Sequence, residues 1–186
     1  MDHYPEHLAP EFEESGAVKT PFDEWWARVL PDFPNVPEDV ARHWMHEHWS
    51  HSPYSWLPSK SYAFSLRDWP TSELKQIRSR WCDWDADNVD CLKHGEHLIE
   101  GIKSVYRYRT AVYLEENRDF PAPIIVLDNR DGHLKQGQAP VPAWEQLPAA
   151  YLLIEGHRRL NMALYLASVG RLGETVRVWL MERVAR

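Results

Sequence analysis

The sequence predicts an α+β fold, and three observations carry that reading. Residues 151–170 read as a buried strand, Tyr151-Leu152-Leu153-Ile154, that breaks at Glu155-Gly156 and continues as an amphipathic helix. Two further short strand patterns, 124–127 and 175–181, flank this unit, while most of what precedes Lys103 carries helical spacing. The chain has 186 residues, the size of one domain or of one domain with a sizeable extension. The expected organisation is a loose arm over 1–20, a mainly helical and aromatic-rich region over 21–103, and an α+β core over 104–186.

Taken in order, Pro21 begins a helical pattern through Phe22, Trp25, Trp26, Val29 and Leu30, which Pro31, Pro34 and Pro37 end with a rigid connector. A second helix over 38–49 turns Val40 and Trp44 inward. It carries His43, His46 and His48, with His51 just beyond, but this spacing matches no zinc pattern and lacks H-E-x-x-H, so these histidines read as structural or surface residues. Residues 50–70, rich in Ser, Pro and aromatics, read as irregular. A third helix is predicted over 72–81 with Leu74, Ile77 and Trp81 on one face. The D-x-D-x-D run at Asp83, Asp85 and Asp87 resembles a calcium loop, but Asn88 replaces its glycine and His94 its final glutamate, so an acidic turn is expected.

Residues 97–103 look helical. Residues 105–114 are ambiguous, since Tyr106, Tyr108, Thr110 and Val112 alternate as in a strand and put Arg107 and Arg109 on the other face, a solvated basic surface. Pro121 and Pro123 stop what precedes them, and the short strand 124–127 ends in the turn Asp128-Asn129-Arg130-Asp131-Gly132. A Gly/Pro/Gln loop, 135–148, leads to the strand–turn–helix, and no internal repeat is present.

Composition narrows the function. A net charge of −7 argues against unspecific binding to nucleic-acid backbones. No apolar run is long enough for a membrane span, and the polar start Met1-Asp2-His3-Tyr4-Pro5 is unlike a signal peptide. Cys82 and Cys91 have neither C-x-x-C spacing nor the partners of a disulfide framework, so a reducing cytoplasm is the expected setting. Ten tryptophans supply either a core or a protein-partner surface in the N-terminal region.

The chemistry concentrates at the turn. A strand passing through glycine into a helix leaves backbone N–H groups at the positive end of the helix dipole, where an anion is favoured. Arg158 and Arg159 stand in that first turn, where cations are unfavourable unless they meet a carboxylate or phosphate. His157 adds a titratable group and Glu155 a carboxylate.

Two segments, P-I-I-V at Pro123 to Val126 and Y-L-L-I-E-G-H-R-R-L at Tyr151 to Leu160, together resemble the core of the ParB/sulfiredoxin superfamily. There a P-I-x-V strand is followed by a strand ending in G-E-R-R, G-C-H-R or the D-G-H-x-R of free-serine kinases, and E-G-H-R-R is most similar to the last. The resemblance spans roughly 121–181. It implies a small mixed sheet with packed helices and a site for a nucleoside di- or triphosphate such as ATP. Gly156 and His157 would hold a phosphate by their backbone, and Arg158 or Arg159 would neutralise it. Glu155 and Asp128 would position Mg²⁺, and Glu155, His157 and Asp128 would be the catalytic candidates. His157 replaces the cysteine that sulfiredoxin chemistry needs. Only 26 residues follow Leu160, so the helix-turn-helix of partition proteins and sequence-specific DNA binding are not expected. A Walker phosphate loop is absent. Two function classes stay open: a nucleotide-dependent phosphotransferase or hydrolase, and a non-catalytic binding or regulatory module such as an antitoxin, defence or mobile-element component. A ParB-like nuclease is a third, without a carboxylate cluster to support it.

Overall fold

Continuous apolar runs at 124–127 and 151–154 make the central pair of strands, buried on both faces, and the computed structural model assembles them into a five-stranded mixed sheet with helices, an α+β architecture. It describes residues 6–49, 61–101, 108–134 and 146–184. The strands are β1 (Tyr62–Pro70), β2 (Ile77–Arg78), β3 (Ile124–Asp128), β4 (Tyr151–Glu155) and β5 (Thr175–Arg183), in the order β1-β5-β3-β4-β2. β3 and β4 are antiparallel, with Ile125 opposite Glu155 and Asp128 opposite Tyr151, and one irregularity falls between Ile125 and Val126. β2 runs parallel to β4, pairing Ile77 with Tyr151. The chain divides into two compact units, 1–64 with 181–186 and 65–180.

In the first unit, Pro21 precedes helix α1 (Phe22–Val29), whose Trp25 and Val29 are fully buried. Helix α2 (Glu38–Val40) runs on into a π-helical segment, Ala41–His46, that buries Trp44 and Met45. His46 belongs to this core. It lies edge-on to Phe22 at 5.4 Å and beside Trp25 at 5.2 Å, and its Nε2 is 2.8 Å from the Thr20 carbonyl. The described part of the arm is held in place rather than loose: Leu8 is buried, its carbonyl accepts the Trp25 indole N–H at 2.8 Å, and Phe12 pairs with Val18. Trp25, Trp26 and Trp44 are spent on this interior.

The second unit has a core in which Leu74, Ile77, Cys91, Leu114, Phe120, Ile124, Leu153 and Leu160 are fully enclosed. Helix α3 (Val89–Glu96) packs on helix α5 (His157–Ser168) at very short range. A Cβ at Gly95 would stand 1.9 Å from the Asn161 carbonyl oxygen, so only glycine permits this approach. Helix α4 (Arg109–Asn117) also contacts α5 and buries Ala111 and Leu114.

Three local expectations are corrected. Within 50–70, residues 50–60 lie outside the described residues, but Tyr62 to Pro70 is a strand, not irregular. The helix expected over 72–81 is a 3-10 segment (Thr71–Gln76), then β2, then a 3-10 turn (Arg80–Cys82). Pairing of Ile77 and Arg78 with β4 satisfies backbone groups that a helix would have bonded internally, and tertiary contact overrides local spacing. Leu74 and Ile77 are buried as expected, whereas Trp81 is 55% exposed. The strand-like alternation after Val105 resolves as α4, because Ala111 and Leu114, three apart, face the core. Residues 102–107, and with them Tyr106 and Arg107, lie outside the described residues, as do 135–145 of the long loop.

Cys82 and Cys91 form a disulfide with Cα atoms 5.9 Å apart, which corrects the cysteine reading: the expectation of a reducing setting rested on their not being paired. No helix among the described residues is long and apolar enough to cross a membrane.

Candidate functional site at the β4–α5 turn

Gly156 makes the turn. Its φ of 101° lies in the left-handed region, and a Cβ there would stand 2.5 Å from Ile124 Cγ2. The chain thereby reverses directly from β4 into α5, with Gly156 as the N-cap and its carbonyl accepting the Leu160 N–H at 2.8 Å. No described side chain caps this helix, and its first turn contains no acidic residue. The helix start presents a positive dipole end, which favours an anion.

The two arginines have separate fates. Arg159 is largely buried and turned back. Its Nη1 donates to the carbonyls of Ala122 and, at 3.2 Å, Pro123, while Nη2 lies 3.4 Å from Glu155 Oε1. It fastens the segment before β3 to the end of β4, and Glu155 serves as its carboxylate partner. Arg158 is exposed, with its guanidinium carbon 5.7 Å from the Tyr108 ring centroid. Of the two arginines, Arg158 is the one that faces solvent.

His157 is half-buried beside an aromatic neighbour absent from the sequence-based site. The Trp81 ring centroid lies 4.7 Å from that of His157 and 6.3 Å from that of His94. Trp81 was legible only as part of a supposed apolar stripe. Trp81 directly precedes Cys82, which is bonded to Cys91 on α3, and α3 packs on α5.

Asp128 is not part of this cluster. The register sets it opposite Tyr151, four residues from Glu155 along β4 and hence about 13 Å away. There Arg130 grips it through Nε at 2.9 Å and Nη2 at 2.6 Å, and stacks 4.4 Å from the Tyr151 ring centroid. The Arg130 hydrogen bond holds the Asp128 carboxyl below its usual range, against an opposing effect of burial. Glu155 and Asp128 are thus too far apart, and each too engaged by an arginine, to share a magnesium ion as the resemblance implies. Among the described residues no group of three His, Cys, Asp or Glu side chains is arranged to hold a metal.

The acidic run before α3 is a cap. Asp85 accepts the Asp87 N–H at 3.1 Å and the Val89 N–H at 3.0 Å, and these bonds lower its pKa. An open polar pocket of about 460 Å³, lined by Asp68, Arg118, Asp119, Glu174 and Arg177 among others, contains none of the expected site residues. Asp119 is already committed there, accepting from the Arg177 N–H at 3.0 Å and Nε at 2.7 Å. No protein-family model, curated protein or solved structure gives a significant match to this chain.

Proposed function

We propose that this chain is a ParB/sulfiredoxin-like protein that binds a nucleoside di- or triphosphate at the β4–α5 turn, with phosphate received by the backbone at Gly156 and His157 and by Arg158. The observation that carries the reading is the left-handed Gly156 opening an uncapped helix whose exposed first-turn cation is Arg158. A cytoplasmic setting belongs to the same proposal. No phosphoryl-transfer step is drawn through magnesium, because the two carboxylates implied for it stand apart.

A second reading, a non-catalytic binding or regulatory module, is favoured by one feature. Glu155, the residue that would act as base, is held by Arg159 as part of the turn's scaffold. Calorimetric titration with ADP, ATP and inorganic pyrophosphate, with and without Mg²⁺, tests the first reading. Wild-type protein should bind, and Arg158→Glu should weaken binding at least about tenfold, since a charge-assisted contact is replaced by repulsion. Equal affinity in the two proteins would remove the site from this turn. Binding without turnover would select the module.

A further inference from the structure

We propose that the Cys82–Cys91 bond is a redox-sensitive brace that holds Trp81 against the start of α5, and that a dithiol reductant releases it. The inference concerns regulation of the turn, and only its ligand-binding consequence rests on the reading above.

Three observations converge on the segment between the two cysteines. It contains three non-glycine residues in the left-handed region, Asp83 at φ 48°, Trp84 at 60° and Asn88 at 54°. Asp and Asn adopt this region readily, but Trp84, adjacent to Asp83, does so only where its surroundings impose it. The bond ties the 3-10 turn Arg80–Cys82 to α3 across nine positions of sequence. Trp81 directly precedes the first cysteine and lies 4.7 Å from His157 while remaining 55% exposed.

The two sides of the bond are held differently. α3 is fixed independently, since its Gly95 abuts the α5 backbone. The Trp81 side is held by short-range hydrogen bonds, including Trp84 N–H to the Ser79 carbonyl at 3.0 Å and Asp85 N–H to the Cys82 carbonyl at 2.8 Å, and by ring contacts of the half-exposed Trp81 with His94 and His157. Loss of the bond therefore frees the turn before it frees the helix. The chemistry is thiol–disulfide exchange. A thiolate of the dithiol attacks one sulfur, the resulting mixed disulfide is resolved by the second thiol, and the reductant leaves as its cyclic disulfide. Cys82 and Cys91 take up two electrons and two protons as thiols. Both cysteines are buried, at 7% and 0% exposure, so exchange proceeds through local opening of 81–88.

The test compares the full chain oxidised, reduced with dithiothreitol, and as the Cys82→Ser/Cys91→Ser double variant. Thiols are counted by alkylation and mass spectrometry, and backbone opening is read by hydrogen exchange. Reduction and the double variant should each raise exchange across 81–88 and in the first turn of α5 by about tenfold or more, leaving β3 and β4 protected. Alkylation of both cysteines without reductant would overturn the proposal. So would unchanged exchange at α5, or loss of protection throughout, which would make the bond a staple of the whole unit. Inorganic pyrophosphate affinity, measured in both redox states, should fall on reduction. If the oxidised protein binds no pyrophosphate, the phosphate-site reading fails and the brace is judged by exchange alone.

Discussion

The β3–β4 pair has an arginine–carboxylate contact near each end, and the two ends differ in kind. Near Glu155, the side chains of Arg159 and Glu155 are only 14% and 19% exposed, and the arginine also serves two backbone carbonyls. Near Asp128, Arg130 is 60% exposed and grips its carboxylate from the solvent side. The two carboxylates are exposed to a similar degree, 19% for Glu155 and 17% for Asp128, so the difference lies in the arginines. One is buried with several acceptors as a fastening, and the other stands in solvent as an accessory. The Glu155 end also contains the glycine turn and the uncapped helix start. The turn proposed as the ligand site is thus braced by a cation that sequence would assign to the ligand.

The largest effect is expected from breaking the turn itself. Gly156→Ala should cost about 3–4 kcal/mol, since left-handed strain adds to a collision with Ile124 in the core. Urea unfolding measures it, and a shift in midpoint equivalent to less than about 1 kcal/mol would mean that the backbone there relaxes freely.

Arg159→Ala comes next, at about 2 kcal/mol, because Glu155 and the Ala122 and Pro123 carbonyls lose a shared donor in a mostly dry site. If this variant keeps wild-type stability but loses pyrophosphate binding, the assignments of Arg158 and Arg159 are exchanged.

The smallest effect, about 0.5 kcal/mol, is expected for Arg130→Ala at the exposed end. It should also depend on pH. The Asp128 carboxyl titrates below its ordinary 3.8 in the folded protein, so its ionised form contributes stability above that value. That contribution is lost as pH falls through the folded pKa. The stability gap between wild type and Arg130→Ala should therefore be full near neutrality and close below about pH 3.8. A gap that persists unchanged at pH 2 would assign the effect of Arg130 to its stacking on Tyr151 instead.

Much of the second unit's centre was readable because its signals are local. The run Tyr151-Leu152-Leu153-Ile154 is a strand pattern, and Gly156 is the residue that a left-handed reversal requires. Leu160, Ala163 and Leu164 repeat at helical spacing and are buried on α5. The edge strands were not readable. β2 is only two residues long and follows a helix-like sequence, so its extended form depends on β4 as a neighbour. α4 was obscured by the alternating sequence that leads into it, and its helical form shows in the burial of Ala111 and Leu114, three apart.

The site divides along the same line. Sequence by itself determined the strand, the glycine reversal and the helix whose first turn bears His157, Arg158 and Arg159, because each rests on residues within one or two turns of its neighbours. Only the tertiary structure decided that Arg159 faces the Ala122 and Pro123 carbonyls while Arg158 faces outward. It also decided that Asp128 stands at the far end of the pair and that Cys82 meets Cys91 with Trp81 beside His157. These outcomes depend on strand register and helix packing between segments distant in the chain, and no local periodicity encodes which distant partner a side chain will meet.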